Sequence, residues 1–312
     1  MMLRRWLPLL AVPALAQGST IRLIVPFAAG GSADQTARML AEPVGAALGQ
    51  TMIVENRPGG GATLGANLVA RAAPDGLTLL YGTPGPQIIN PHLMRSLPYD
   101  PMRDFAPVVS IKRAPNLLCV HPSVPADSVA ALVALARARP GALAFASSGV
   151  DASSHLAGEM LKFLAGVDLL HVPFRGTGPA TTELIAGNVQ MAIDTISILL
   201  PHAREGRMRA LGVSTPARSP LVPSIPAIAE TLPGFDASPF NYIAAPGATP
   251  APVIARLNAA FNRVLADPAF RARMEALGEE PLGGTPEALA VNIAEESARW
   301  RDVIRAANLR AE

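Results

Sequence analysis

Two short segments carry residue types suited to holding a small anion. Phe27-Ala28-Ala29-Gly30-Gly31 follows the apolar run at residues 20–26 and leads into a helical pattern at Ser32. Ser147-Ser148-Gly149 follows the apolar run at 143–146 and leads through Ser153 into a helical pattern at 154–165. A strand that turns through small residues into a helix leaves unpaired backbone N–H groups pointing outward. The helix dipole adds partial positive charge there, so such an end attracts carboxylate or phosphate. Two such ends facing each other across a cleft would suit a molecule with one or two carboxylates. Ordinary tight turns with capped helices would give the same spacing. Asp34, in the first turn of the first helix, can hold the Gly30-Gly31 loop or accept from a ligand hydroxyl or amine. Asp194 ends a predicted strand, where ligand sites of α/β sheets lie; it is equally suited to a turn or cap.

Other chemistries find no support. A phosphate loop needs Gly-Lys-Ser/Thr, and neither Lys112 nor Lys162 follows a glycine. Gly59, Gly61 and Gly65 are spaced one residue too long for the dinucleotide fingerprint. No Gly-x-Ser-x-Gly elbow and no His-Glu-x-x-His are present. Ser153, His155 and Asp194 do not read as a triad, because a serine and a histidine two apart at a helix start point in different directions. His155 and Glu159 can share a helix face, which reads as a polar first-turn residue or a surface pair. His92, His121, His171 and His202 read as scattered. Cys119, the one cysteine, lies in an apolar run and reads as an inert buried thiol; it excludes an internal disulfide and multi-cysteine zinc sites. No cofactor and no metal are expected.

The chain has 26 Lys+Arg against 24 Asp+Glu. Arg4 and Arg5 precede a short apolar core and Ala14-Leu15-Ala16, an A-x-A pattern. Residues 1–16 therefore read as an export signal cleaved near Ala16. Without those two arginines 24 charges of each sign remain, so no basic field for nucleic acid exists. No later stretch is long and apolar enough to span a membrane. Half the residues are hydrophobic, and 312 residues suggest about two domains.

The elements that must position these loops alternate. Strands are expected at 20–26, 52–55, 77–81, 116–120, 143–146, 169–172, 190–194 and 209–214. Helices are expected from Ser32, from near Gly65 to 73, at 127–139, at 154–165 and between 179 and 187. Ser32 should cap the first helix, with Gln35 reaching back, and Pro43 should kink or end it. Asp267-Pro268 should open a helix, and Leu289, Ile293, Trp300 and Ile304 should face inward from the last one. The alternation implies α/β units with largely parallel sheets.

Many segments, in order, resemble the Bug-type solute-binding receptors of tripartite tricarboxylate transporters. They include Ile24-Val25-Pro26-Phe27 with Gly30-Gly31 and Asp34, Val54-Glu55-Asn56-Arg57-Pro58-Gly59, Ala73-Pro74-Asp75-Gly76 and Leu97-Pro98-Tyr99-Asp100-Pro101. Ala146-Ser147-Ser148-Gly149, His155-Leu156-Ala157-Gly158-Glu159, His171-Val172-Pro173-Phe174-Arg175-Gly176, Ile193-Asp194 and Ala244-Ala245-Pro246-Gly247 continue the match. The chain departs from the family at Thr63-Leu64 and at Phe240, where an aromatic, often Trp, precedes the later Ala-Pro.

The resemblance implies an α/β fold of the periplasmic binding protein type II class, two α/β domains closing around a ligand cleft. Residues 17–110 would form the first part of domain 1, 111–235 domain 2, and 236–312 the return to domain 1 with the C-terminal helices. It implies a periplasmic receptor, not an enzyme, that captures a small organic acid or amino acid and delivers it to membrane transport subunits. An exported enzyme on the same scaffold and a sensor-coupled binding protein are the alternatives. Carried over residue by residue, Phe27, Ala28, Ala29, Gly30, Gly31, Ser32 and Asp34 form one lip, with Ala62, Thr63 and Gly65 in a second loop. Thr83 ends a strand at the cleft. Ser147, Ser148, Gly149 and Ser153 face them, Asp194 closes the rear, and Phe240 stands at the aromatic position. Arg38, Arg57 and Arg175 can pair a carboxylate bidentately, but are read as surface or structural residues. The lobes would swing about segments near 105–116 and 225–242.

Overall fold

The computed structural model describes residues 19–149, 152–174 and 176–306. The export-signal reading and Arg175 lie outside the described residues. Two mixed sheets form separate layers. The first has six strands in the order β11 (Glu280–Pro281), β4 (Phe105–Arg113), β10 (Phe240–Pro246), β3 (Thr78–Gly82), β1 (Ile21–Val25) and β2 (Met52–Asn56). The second has five, in the order β7 (Leu170–Pro173), β6 (Ala144–Ser147), β8 (Met191–Thr195), β5 (Asn116–Val120) and β9 (Arg209–Val213).

The strand–helix units are parallel: β1 beside β2 and β3, and β6 beside β7 and β8. The expectation of largely parallel sheets needs correction at the strands next to the crossings. There β10 runs antiparallel to β3 and β4, and β5 antiparallel to β8 and β9. β5 and β10 enter their sheets from the other sheet rather than through a strand–helix–strand unit of the same sheet, so no right-handed crossover imposes a parallel direction on them.

Helix α1 (Ser32–Leu48) runs through Pro43 and ends at Gly49 in a left-handed cap, against the expected kink or stop. Its buried face, Ala37, Leu40, Ala41 and Val44, packs on the first sheet on both sides of the proline. That burial outweighs one missing hydrogen bond. Helix α2 (Thr63–Ala70) follows β2. A π-helical turn at Gly85–Ile89 and α3 (Asn90–Leu93) follow β3.

The second sheet is covered by α4 (Val129–Ala138), α5 (Ser153–Ala165), α6 (Thr177–Ile185) and α7 (Ile196–Arg204). Ser128 caps α4, accepting from Ala131 N, and Val129, Leu132, Val133 and Ala136 are buried at the expected spacing. Helices α8 (Ala251–Leu265) and α9 (Pro268–Ala276) return to the first sheet, and Asp267 caps α9 as expected. The last helix, α10 (Pro286–Ala306), buries Leu289, Ile293, Trp300 and Ile304. Through them one apolar cluster runs from Ile24 and Leu80 under the first sheet to Leu118, Phe145 and Leu156 under the second.

The chain crosses between sheets twice, at Ala114-Pro115 and just before β10. The crossings lie side by side: Ala114 N donates to Pro239 O at 3.0 Å. Asn116 ties them, donating from Nδ2 to Ala237 O at 3.1 Å and from its backbone to Ser214 Oγ at 2.8 Å.

Candidate functional site

The first lip is the loop between β1 and α1. Residues 27–31 are exposed, with Phe27 38% accessible. Gly31, not Ser32, is the N-cap, and its side-chain position is empty, so the expected capping box does not form. Gln35 Nε2 donates instead to Gly30 O at 3.2 Å. The first amides of α1 have no i−4 partner and face the open loop, as any helix start dictates.

Asp34 holds this loop from behind. It is nearly fully buried and accepts from Gly30 N at 2.9 Å, from Asn56 Nδ2 at 3.0 Å, and from Arg38 in a bidentate pair. Asn56 Nδ2 also donates to Phe27 O at 3.1 Å. The Arg38 guanidinium holds the Asp34 carboxyl below its ordinary range, with further help from Gly30 and Asn56. Both carboxylate oxygens are committed to the protein. Of the two roles the residue type allows, the geometry is that of a loop holder. Asp34→Ala should cost about 1–3 kcal/mol, the penalty for stranding buried donors. Asp34→Asn, which keeps an acceptor, should cost less. Urea unfolding of both variants checks this, and equal costs would count against the hydrogen-bonding account.

Arg57 is likewise engaged, donating to Glu55, which also takes a two-point contact from Arg22. Those guanidiniums, Arg22 foremost, pull the Glu55 carboxyl down to about 2. Arg38 and Arg57 therefore have structural partners.

The second loop follows β2. Ala62 takes a left-handed backbone (φ 73°) and is buried; Thr63 is buried with its hydroxyl on Gly60 O at 2.5 Å. At Gly65 a Cβ would meet Pro26 Cβ at 2.9 Å and Arg57 O at 3.0 Å, so glycine lets α2 press against the end of β1. These three residues support the loop, whereas Leu64 between them stands 61% exposed. Thr83, at the end of β3, is buried with its Oγ1 unpartnered among the described residues; its carbonyl accepts from Tyr242 Oη at 3.2 Å.

The corresponding loop of the second sheet follows β6. Ser147 is fully buried; its Oγ donates to Gly149 O at 3.0 Å and lies 2.7 Å from His171 Nε2. Ser148 pairs with Ser154 through backbone N (2.9 Å) and hydroxyl (2.8 Å). Ser148 and Gly149 are half-buried. Ser153 lines a small cavity with Pro84, Ile89, Ser238, Glu296 and Trp300. The start of α5 in the second lobe thus meets the turn after Thr83 in the first. Burial lifts the Glu296 carboxyl to about 7.

Asp194 lies deeper. Its Oδ1 accepts from Thr177 Oγ1 at 3.1 Å and Thr195 N at 2.7 Å, while Oδ2 is enclosed and without a hydrogen-bond partner among the described residues. Burial pushes its carboxyl up. Phe240 opens β10 where the chain re-enters the first sheet and is buried beside Tyr242, their ring centroids 5.4 Å apart.

Two features escaped sequence reasoning. His155 and His171, read as a surface or first-turn residue and a scattered histidine, stack at 4.0 Å between centroids, with Phe145 4.8 Å beyond His171. Parallel pairing of β6 with β7 sets His171 beside Phe145, and α5 brings His155 against His171. Ser147 and His171 have the spacing of a nucleophile and base, but the serine is sealed from solvent. The second feature is a fully buried Lys112 paired with Glu279 beneath Ser32. Among the described residues no cluster of metal-ligating side chains occurs, and no helix is long and apolar enough to cross a membrane.

Residues 36–309 match the family described as tripartite tricarboxylate transporter family receptor. Three solved structures are similar over nearly the whole chain. Rpa4515 of R. palustris with adipate is 34% identical with a TM-score of 0.82, covering 93% of this chain and 98% of its own. The periplasmic binding protein BugD is 32% identical at 0.79, covering 94% and 99%. MatC from Rhodopseudomonas palustris with bound malate is 36% identical at 0.78, covering 91% and 98%. Fold, order of motifs and family match agree: the chain belongs to the tripartite tricarboxylate transporter receptor family, the Bug-type solute-binding proteins of the periplasm.

Proposed function

We propose that this chain captures a small organic carboxylate between its lobes in the periplasm and delivers it to membrane subunits of a tripartite tricarboxylate-type transporter. The observation that carries the reading is the pair of strand–loop–helix turns, one on each sheet. Each offers main-chain N–H groups, and Arg38 and Arg57 at the first are already paired to the protein's own acidic residues. The carboxylate is taken on one side by amides of residues 27–32 other than Gly30, whose N–H serves Asp34, and on the other by the Ser148 hydroxyl and by Ser153, with Gly149 shaping the turn. Asp34, Ala62, Thr63, Gly65, Ser147 and Asp194 hold those loops in shape, and Thr83 offers a hydroxyl between them. Closure is a rotation about 113–116 and 237–240, narrower than the segments expected from sequence. The domain boundaries expected at 110 and 235 move with these crossings to about 114 and 239, because β4 as far as Arg113 belongs to the first sheet. Export by cleavage near Ala16 places the receptor where this chemistry is useful. The solved relatives with adipate and malate support a dicarboxylate as ligand.

The test is thermal unfolding of the mature chain against mono-, di- and tricarboxylates and amino acids, with adipate and malate included. A ligand at about a hundred times its Kd adds roughly 2.7 kcal/mol. That raises the midpoint by about 4 °C for a chain of this size. A panel in which no acid raises the midpoint overturns the reading.

A further inference from the structure

We propose that the buried Lys112–Glu279 ion pair is a positioning device that fixes the first lip to the strand from which the chain crosses into the second lobe. The role assumes that the β1–α1 loop is a ligand lip, as argued above. Lys112 Nζ donates to Ser32 Oγ and to Thr36 Oγ1, both at 2.8 Å, and to Glu279 Oε1. Ser32 Oγ in turn donates to Glu279 Oε1 at 2.9 Å, and Thr36 Oγ1 lies 3.1 Å from Glu279 Oε2. Apart from each other, the two charged groups direct these hydrogen bonds at the first turns of α1.

Their positions in the chain give this geometry a purpose. Lys112 is two residues before the Ala114-Pro115 crossing. Glu279 immediately precedes β11, which pairs with β4 at Glu280–Arg113 and Pro281–Lys112. Lip helix, crossing strand and C-terminal edge strand are therefore joined at one point. Stability alone does not account for the pair. Desolvating two charges costs much of what their attraction returns, and apolar replacements of buried pairs are often neutral or better. The hydroxyl of Ser32 is also removed from the set of ligand donors, since its oxygen is engaged on both sides. What the pair supplies is a fixed direction for the free amides that begin α1.

The test uses the full mature chain carrying Lys112→Met together with Glu279→Gln, which removes both charges and strands neither. Hydrogen exchange is followed across residues 28–40, where Gln35 N is held by Gly31 O at 3.0 Å. Exchange there should rise at least tenfold while segments 144–160 and 251–265 keep their protection and the unfolding midpoint shifts by only a few degrees. Ser32→Ala, which leaves the charges in place, should raise exchange in the same segment by a smaller factor and guards against a double variant that fails to fold. Unchanged exchange at 28–40, or a uniform loss across the chain, overturns the proposal. Affinity for whichever acid stabilises the parent chain separates the two claims. Raised exchange with lower affinity supports both. Raised exchange with unaltered affinity keeps the anchor and removes the lip from ligand binding.

Discussion

Replacing Gly158 by alanine should destabilise the protein by about 3 kcal/mol, at the upper end of what one added methyl costs in a packed core. Gly158 lies in the middle of α5, where alanine would ordinarily gain helix stability of roughly 1 kcal/mol. Here a Cβ would stand 2.2 Å from Phe145 Cε2 and 2.6 and 2.7 Å from two more ring atoms. The ring cannot retreat freely, because its other neighbours are His171 at 4.8 Å and His155 at 6.5 Å in one near-parallel stack. Pushing Phe145 pushes His171, whose Nε2 is 2.7 Å from Ser147 Oγ. Loss of stability should therefore come with loosening of the Ser147–Gly149 loop. Urea unfolding of Gly158→Ala gives the cost, and exchange at 147–153 gives the coupling. A variant as stable as the parent would mean that α5 slides to make room. Phe145→Leu combined with Gly158→Ala should recover part of the cost, since the obstacle is the ring.

The turns that matter most were legible because their signals are local. An apolar run, a cluster of small residues and a helical pattern stand next to each other at 20–36 and again at 143–165, and each became a strand, loop and helix. Asp34 was readable as a loop holder for the same reason, its partner Gly30 being four residues away. The rest depended on partners distant in sequence. Lys112 and Glu279 are 167 residues apart, and nothing near either announces a buried pair. Strands β4 and β10 lack strand punctuation, carrying Pro107 and Pro246 and, in β10, two alanines. They are strands because each is paired along its length in the antiparallel middle of a sheet. Phe240 was placed by a motif alone, and only the crossing geometry shows that it packs beside Tyr242. Pro43 was a sound local stop signal that tertiary burial overrode. In each case local chemistry set what a segment prefers, and sheet pairing across the two crossings decided where its side chains went.

The same histidine stack makes stability respond to acid, and the sign can be worked out. Burial, with Lys162 acting against a second cation, lowers His155 to about 4; burial and then His155 lower His171 to about 4. The unfolded chain, with histidine near 6.5, binds protons that the folded chain refuses. Stability from each neutral imidazole is thus present above pH 6.5 and lost as pH falls towards 4. For His155, buried against Phe145 and near Glu159, the shift corresponds to about 3 kcal/mol. His171, more accessible, contributes less. Glu296 works in the opposite direction across the same window. Its carboxyl is raised to about 7, so the folded chain takes up the proton first and gains stability as pH falls from 7 to about 4.5. Burial raises Asp194 too, on the same side. The parent chain should accordingly show a shallow profile between pH 7 and 4.5 that hides two steep and opposed ones. His155→Leu should remove one, so that its stability relative to the parent improves by about 2 kcal/mol from pH 7 to pH 4.5. Glu296→Gln should remove the other, losing ground relative to the parent over the same range. Urea titrations of the three proteins at pH 7, 5.5 and 4.5 read both differences. Parallel curves for parent and His155→Leu would mean that the imidazole is protonated in the folded protein and that Glu159, 3.9 Å from its Nε2, stabilises the charge.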